Sequence, residues 1–200
     1  LHIEAHSFPT RRSSDLNTID WMGELGKGCV KANEVINSDV DAKYKMPARA
    51  MRAYFEFLMM DCWGDAPILD VTVEGNDMNK RQPRAMVAKY LEKELLEIIP
   101  HLSTDASEGR NGIPNKYMAQ ALLAKLYINW PVYMAASVDK YDASSATNEK
   151  LDACISICDE IINSGKFNLG SMAYRFKFGP NNSALNVEDF IYAMPYDTYT

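Results

Sequence analysis

Apolar residues along this chain recur mostly at spacings of three and four, the period of helices that bury one face. Between Ile19 and Ile36, the residues Trp21, Leu25, Cys29 or Val30, Ala32 and Ile36 form a loose apolar stripe, weakened by Gly23, Gly26 and Gly28. NSDVDAKYKMP then reads as a turn region. From Pro47 to Cys62 the helical pattern is stronger. Pro47 suits a first turn, where its missing N–H costs nothing. Arg49, Arg52 and Glu56 share one side, and Met51, Tyr54, Phe55, Leu58, Met59 and Cys62 cover most of the rest. A helix this widely apolar is contacted from more than one side. Gly64 ends it, and Asp65 and Pro67 force a turn with Ala66 held extended. Ile68 to Val73 reads as a short extended segment, followed by the polar loop VEGNDMNKRQ.

The next helix starts at Pro83 and stops at Pro100. Val87, Leu91, Leu95 and Ile98 line its inner face, with Lys89, Glu92, Lys93 and Glu97 outside. HLSTDASEGRNGIP is read as a loop. Asn115 to Trp130 is helical, and its Ala119, Ala121 and Ala124 permit close approach of a neighbour. Pro131 kinks or stops it. After the polar DKYDASSATNEK, with Thr147 as a candidate cap, Leu151, Ile155, Cys158 and Ile162 mark the inner face of a further helix that Gly165 ends. Phe167 and Leu169 form an extended patch. RFKFGPNNSALNVEDFIYAMPYD reads as loop followed by a short strand or extended packing segment. Ala121 and Ile155 fall on successive inner faces about one tetratricopeptide period apart, without the full repeat signature. The expected class is therefore all-α, a scaffold of helical pairs with short irregular extended segments.

Two hundred residues can hold one well-packed core or two small ones. With 47% hydrophobic and 24% charged residues the chain is globular. A net charge of −6 and a pI near 5.1 argue against a phosphate-backbone binder, so no nucleic-acid partner is expected. Sugars, peptides and proteins stay open. The cysteines, at positions 29, 62, 154 and 158, form no CxxC; Cys154 and Cys158 share a helix face without a nearby His pair, and read as buried thiols. No apolar run is long enough to span a bilayer. LHIEAHS lacks the form of a signal peptide, and the chain does not begin with Met, so it reads as part of a longer protein. FPTRRSSDL, Phe8 to Leu16, resembles a sequencing-adapter oligonucleotide translated in one frame. Residues 1–16 are accordingly read as an artefact or disordered leader, and 17–200 as the protein proper.

Enzyme signatures are missing: there is no GxSxG, HExxH, Walker A or GxGxxG. His101 sits alone in a loop. Asp61 and Asp65 bracket Trp63 and suggest a glycosidase carboxylate pair, but any acidic turn supplies the same spacing. DKYD lacks the central glycine of a calcium loop. No catalytic residue, metal ligand or cofactor is assigned.

Five blocks in order resemble the SusD/RagB family of Bacteroidota outer-membrane lipoproteins. CVKANEVIN matches through Ala32, Asn33 and Ile36. ARAMRAYFEFLMMDCWGDAPIL matches through Arg52, Ala53, Tyr54, Gly64, Asp65 and Pro67. QALLAKLYINWPVYM matches through Ala121, Leu122, Leu123, Ala124, Leu126 and Tyr127. The block Cys154 to Leu169 includes Gly165 and Phe167, and VEDFIYAMPYD closes the series. Two departures accompany the match. A polar insert, ASSATNEKL, splits the fourth block, and none of the four cysteines lies where a lipid anchor belongs.

The resemblance implies an N-terminal or internal portion of a longer parent, with a tetratricopeptide-like scaffold. It also implies a non-catalytic, carbohydrate-binding role in polysaccharide utilization and nutrient uptake. The parent would be lipid-anchored on the extracellular face of the outer membrane. There it would pass an oligosaccharide, or a peptide, to a SusC-type TonB-dependent transporter. Arg52, Tyr54, Gly64, Asp65, Pro67 and Gly165 are expected to be structural. Trp130 and Tyr133, beside the polar insert, and Trp63 are the candidate sugar-stacking residues. The alternatives are a purely structural protein-interaction adaptor and a helical glycoside hydrolase.

Overall fold

The computed structural model describes residues 7–70, 80–170, 173–178 and 187–194. Among them are seven α-helices: α1 (Ser7–Asn37), α2 (Ala42–Trp63), α3 (Arg84–Ile98), α4 (Ala106–Arg110), α5 (Lys116–Ile128), α6 (Trp130–Met134) and α7 (Leu151–Asn163). No strand occurs among the described residues; Ala66 and Gln82 form one isolated antiparallel bridge. The class is all-α, as the apolar periodicity implies.

Caps explain where several helices begin. Asp41 accepts the Lys43 N–H at 2.9 Å, so α2 starts at Ala42, inside the region read as a turn. Pro47 consequently lies in the second turn, where it forfeits one backbone bond. Asn115 accepts the Met118 N–H at 3.0 Å, and its amide donates to the Asp105 carbonyl at 2.9 Å. One fully buried side chain thus starts α5 and ties down the loop before it. That loop is not wholly irregular: Asp105 caps the short α4 through the Ser107 N–H. α5 stops at Ile128, and Pro131 occupies the first turn of α6, so the proline marks a stop followed by a new helix. α7 starts without a side-chain cap, after the Lys150 N–H has bonded Asn148 rather than Thr147.

The helices pack as antiparallel neighbours. α1 meets α2 through Trp21 with Trp63, Gly28 with Phe55 and Asn33 with Arg52. α2 meets α3 through Arg49 with Glu97 and Arg52 with Tyr90. α5 meets α7 through Cys154 with Ala124 and Gln120 with Glu160. The two-sided contact expected of α2 is observed. Gly28 has a specific reason: a Cβ there would lie 2.5 Å from the Phe55 ring. The core joins α2, α3, α5 and α6, with Val87, Leu91, Leu95 and Ile98 on the face read for α3 and Leu123 and Leu126 from α5.

α1 begins at Ser7, within the residues read as artefact or leader, and that reading concerns the DNA and is tested by resequencing. Two readings are refined. Val30 is exposed, and Cys29 holds the buried position of that alternative. On α7 most of the expected inner face turns outward: Leu151, Ile155 and Ile162 are exposed, while Cys158 is half-buried against the core. Ile155 is 50% and Ile162 71% exposed, whereas Cys154 and Ile161 are buried against α5. The sequence carries two apolar stripes about one residue apart on that helix, and only the neighbour's position chooses between them. Near the end of the chain, residues 187–194 pack irregularly, held by a bond from the Ala193 N–H to the Gly109 carbonyl at 3.0 Å. The end of the Ile68 to Val73 run, most of VEGNDMNKRQ and residues 179–186 lie outside the described residues.

Candidate functional site

The middle of α2 anchors a buried polar cluster. Arg52 is 2% exposed and donates to Asn33 Oδ1 at 3.0 Å, to the Tyr90 hydroxyl at 3.1 Å and to Glu94 Oε1 at 2.8 Å. Arg49, one turn earlier, grips both oxygens of Glu94 at 2.8 and 2.7 Å and reaches Glu97. Asp70 accepts from Tyr90 and lies 3.6 Å from Arg52. Glu56 is fully buried and accepts the Leu69 N–H at 2.7 Å, while Asn33 donates to the Leu69 carbonyl at 2.9 Å. Both backbone groups of Leu69 are therefore held by side chains from α1 and α2. Burial pushes the Glu56 carboxyl up to about 8, against the opposing pull of Arg52 and the Leu69 N–H. The two guanidiniums already face Glu94, Glu97 and Asp70, so a further buried negative charge has little compensation.

Gly-Asp-Ala-Pro closes α2 onto the start of α3. Gly64 takes φ 79° and ψ −102°, and its N–H still bonds the Met60 carbonyl at 2.8 Å. Asp65 accepts the Arg84 N–H at 3.0 Å, which supplies α3 with the side-chain cap that Pro83 lacks. Ala66 exchanges both backbone bonds with Gln82, and Pro67 follows, partly buried. Gly165, at φ 67°, turns the chain after α7. Tyr54 is half-buried between Phe55 and Tyr192. The Arg52 cluster, the Gly64–Pro67 turn and Gly165 thus act in the fold as joints.

The aromatic candidates separate. Trp130 is 3% exposed; its indole N–H donates to Glu149 at 2.9 Å, and Tyr127 meets its ring edge to face. Tyr133 is 4% exposed, packs on Phe57, and donates to Asp61 Oδ1 at 2.7 Å. Burial, then Asp61, raises the Tyr133 hydroxyl above the usual phenol range. Trp63 is only partly buried and lies 5.4 Å, centroid to centroid, from Trp21, which is 41% exposed. Solvent-facing indole surface is therefore found at the Trp21–Trp63 pair.

Among the described residues, no group of three or more His, Cys, Asp or Glu is placed to hold a metal ion, and the four cysteines are free thiols. Burial pushes the Cys29 thiol up to about 12. No described helix is long and apolar enough to cross a membrane.

Sequence reading did not single out a cleft of about 340 Å³ where α2, α5 and residues 189–192 converge. Tyr54, Met118, Leu122, Lys125, Phe190 and Tyr192 line it. The three-and-four spacing of Met118, Ala121, Leu122 and Lys125 along α5 was legible as a helical face, but nothing local indicated that Phe190 and Tyr192 return to meet it.

Two solved structures resemble the chain. A SusD homologue from Bacteroides thetaiotaomicron VPI-5482 aligns with 63% of this chain and 23% of its own, at 25% identity and a TM-score of 0.47. Surface glycan-binding protein A from Bacteroides uniformis aligns with 77% of this chain and 32% of its own, at 17% identity and a TM-score of 0.55. The second likeness carries the shared fold. The chain spans about a quarter to a third of the length of these structures. No family model and no curated protein matches it.

Proposed function

We propose that this chain is the scaffold portion of a non-catalytic glycan-binding component of an outer-membrane nutrient uptake complex. Its parent would sit on the cell surface through a lipid anchor and deliver oligosaccharide to a SusC-type TonB-dependent transporter. The observation that carries the reading is the shared fold with a protein named for surface glycan binding. The five ordered sequence blocks, which resemble the same kind of protein, support it independently.

Use of the carboxylates also favours binding over catalysis. Asp61 receives the Tyr133 hydroxyl and Asp65 caps α3, so each already has a structural task at the position where a hydrolase would need it. For stacking on a sugar, Trp63 with Trp21 offers the accessible rings. Trp130 and Tyr133 remain candidates that require the α6 end to open, because their polar ends are committed to Glu149 and Asp61.

The test is isothermal titration of an oligosaccharide panel against the wild type and the Trp63→Ala, Trp130→Ala and Tyr133→Phe variants, with product analysis. Binding without shorter products is expected, with the largest loss at Trp63→Ala. Shorter products that vanish in Asp65→Asn would put the glycoside hydrolase first. Binding of protein partners with no glycan bound would favour the structural adaptor. Co-purification of the full-length parent with a large β-barrel encoded beside it tests the delivery step.

A further inference from the structure

From the cleft between α5 and residues 189–192 we infer a second, separate subsite that takes one pyranose unit of a glycan. This inference rests on the glycan-binding reading above and gives it a location that neither Trp63 nor Trp130 supplies. The cleft volume, about 340 Å³, is at the small end of ligand sites and suits a single sugar ring rather than a long chain. Its floor is apolar: Met118 and Leu122, each 4% exposed, fill one stripe of α5. Aromatic side chains form the walls. Tyr54 and Tyr192 meet edge to face at 6.3 Å, and Phe190 borders the opening. Apolar and aromatic surface accepts the C–H face of a pyranose, and polar groups at the edge are needed for its hydroxyls.

Those polar groups are present. Lys125 is exposed on α5 and lines the cleft. Asp189 also lines it; one carboxylate oxygen holds the Lys177 ammonium, and the other, Oδ1, has no hydrogen-bond partner. Lys125 can donate to a ring hydroxyl at the mouth of the cleft. Lys177 already neutralises Asp189, so Lys125 leaves the site with one net positive charge, which admits a uronic acid as well as a neutral sugar.

The wall also shows signs of being held in place. Tyr192 has its hydroxyl 3.3 Å from the Gly112 carbonyl and 3.5 Å from the Met51 sulfur. Gly109 lets the chain pass close by, since a Cβ there would fall on the Ile191 carbonyl. The aromatic wall is therefore preorganised by contacts to α2 and to the α4 region.

Methyl-labelled methionine NMR tests the inference, with maltohexaose, cellohexaose, xylohexaose, mannohexaose and hexagalacturonate as probes and titration calorimetry alongside. The expected result is a saturable shift of the Met118 methyl with at least one probe, and binding weakened about tenfold or more in Lys125→Ala and in Phe190→Ala. Lys125 is exposed, so its variant keeps the fold. If a probe binds but the Met118 methyl stays put and Lys125→Ala binds as tightly, the cleft is not the subsite while glycan binding stands. If no probe binds, both readings fall. If an oligopeptide probe such as hexaalanine moves Met118 and the sugars do not, the sugar assignment is overturned.

Discussion

Replacing Glu56 by Gln is expected to flatten the pH dependence of folding stability between about pH 5 and about pH 8. In the unfolded chain this carboxyl titrates near its ordinary value of 4.5; in the folded protein burial raises it to about 8. Between those values the unfolded chain has released the proton and the folded protein still holds it. Folding then takes up a proton, so stability falls as pH rises. One such group contributes a slope of at most about 1.4 kcal/mol per pH unit, and so up to about 4 kcal/mol across three units. That is a large share of the roughly 5–15 kcal/mol that holds a typical domain together. Above the folded value both states are ionised and the slope ends. Gln is neutral throughout and keeps an acceptor for the Leu69 N–H that Glu56 now binds at 2.7 Å. Glu97, lowered by its hydrogen bond to Arg49, acts on the acid side of this window: its stabilisation is present above its unfolded value and is lost as pH falls through the lower folded one. The assay is urea unfolding followed by circular dichroism at several pH values for wild type and variant. A variant slope equal to the wild-type slope would refute the argument. So would a variant that is less stable than wild type at pH above about 8, because there wild type carries the uncompensated buried charge.

Gly64→Val is expected to destabilise the chain by about 2 kcal/mol or more: a Cβ would meet nothing within 4 Å, but φ 79° with ψ −102° is a backbone that β-branched residues scarcely adopt. A change in urea midpoint equivalent to less than about 0.5 kcal/mol would show that the turn relaxes freely. Gly109→Ala should push residues 191–193 off α4 and cost about 1–3 kcal/mol, because the new methyl would land on backbone rather than on a flexible side chain. Faster amide exchange at Ala193, whose N–H bonds Gly109, would report it, and unchanged exchange would count against it. Arg52→Ala leaves Glu94 and Asp70 buried with fewer cations and should cost about 3–5 kcal/mol, read as a lower thermal midpoint; a loss under about 1 kcal/mol would mean that Arg49 compensates.

Local pattern was enough for the longer helices, though not for the five-residue α4 and α6. The inner face of α3, the breaks at Gly64 and Pro131 and the all-α class follow from 3.6-residue periodicity and from backbone groups that glycine and proline alone allow or lack. Starts were less legible. The Asp41 cap sits ahead of a proline that reads as a first-turn residue, and although Asn115 caps α5 locally through the Met118 N–H, its burial and its bond to the Asp105 carbonyl come only from the fold.

What the tertiary structure decided is which of two chemically equal choices each residue takes. Arg49, Arg52 and Glu56 share one side of α2 in the sequence, a pattern that equally suits a solvated face; only α1, α3 and residues 65–70 closing over them make it a buried cluster. α7 offers two apolar stripes, and the position of α5 buries Cys154 and Ile161 while leaving Ile155 and Ile162 in solvent. Trp130 and Tyr133 adjoin a proline and a polar insert, which suggested exposure, yet Glu149 of that insert folds back and Asp61 arrives from α2 to take their polar ends and let the rings join the core. Tyr54 and Tyr192 are 138 positions apart and form one wall. Periodicity encodes what a segment does with its own backbone; burial and partners depend on what packs against it, and that information is spread along the whole chain.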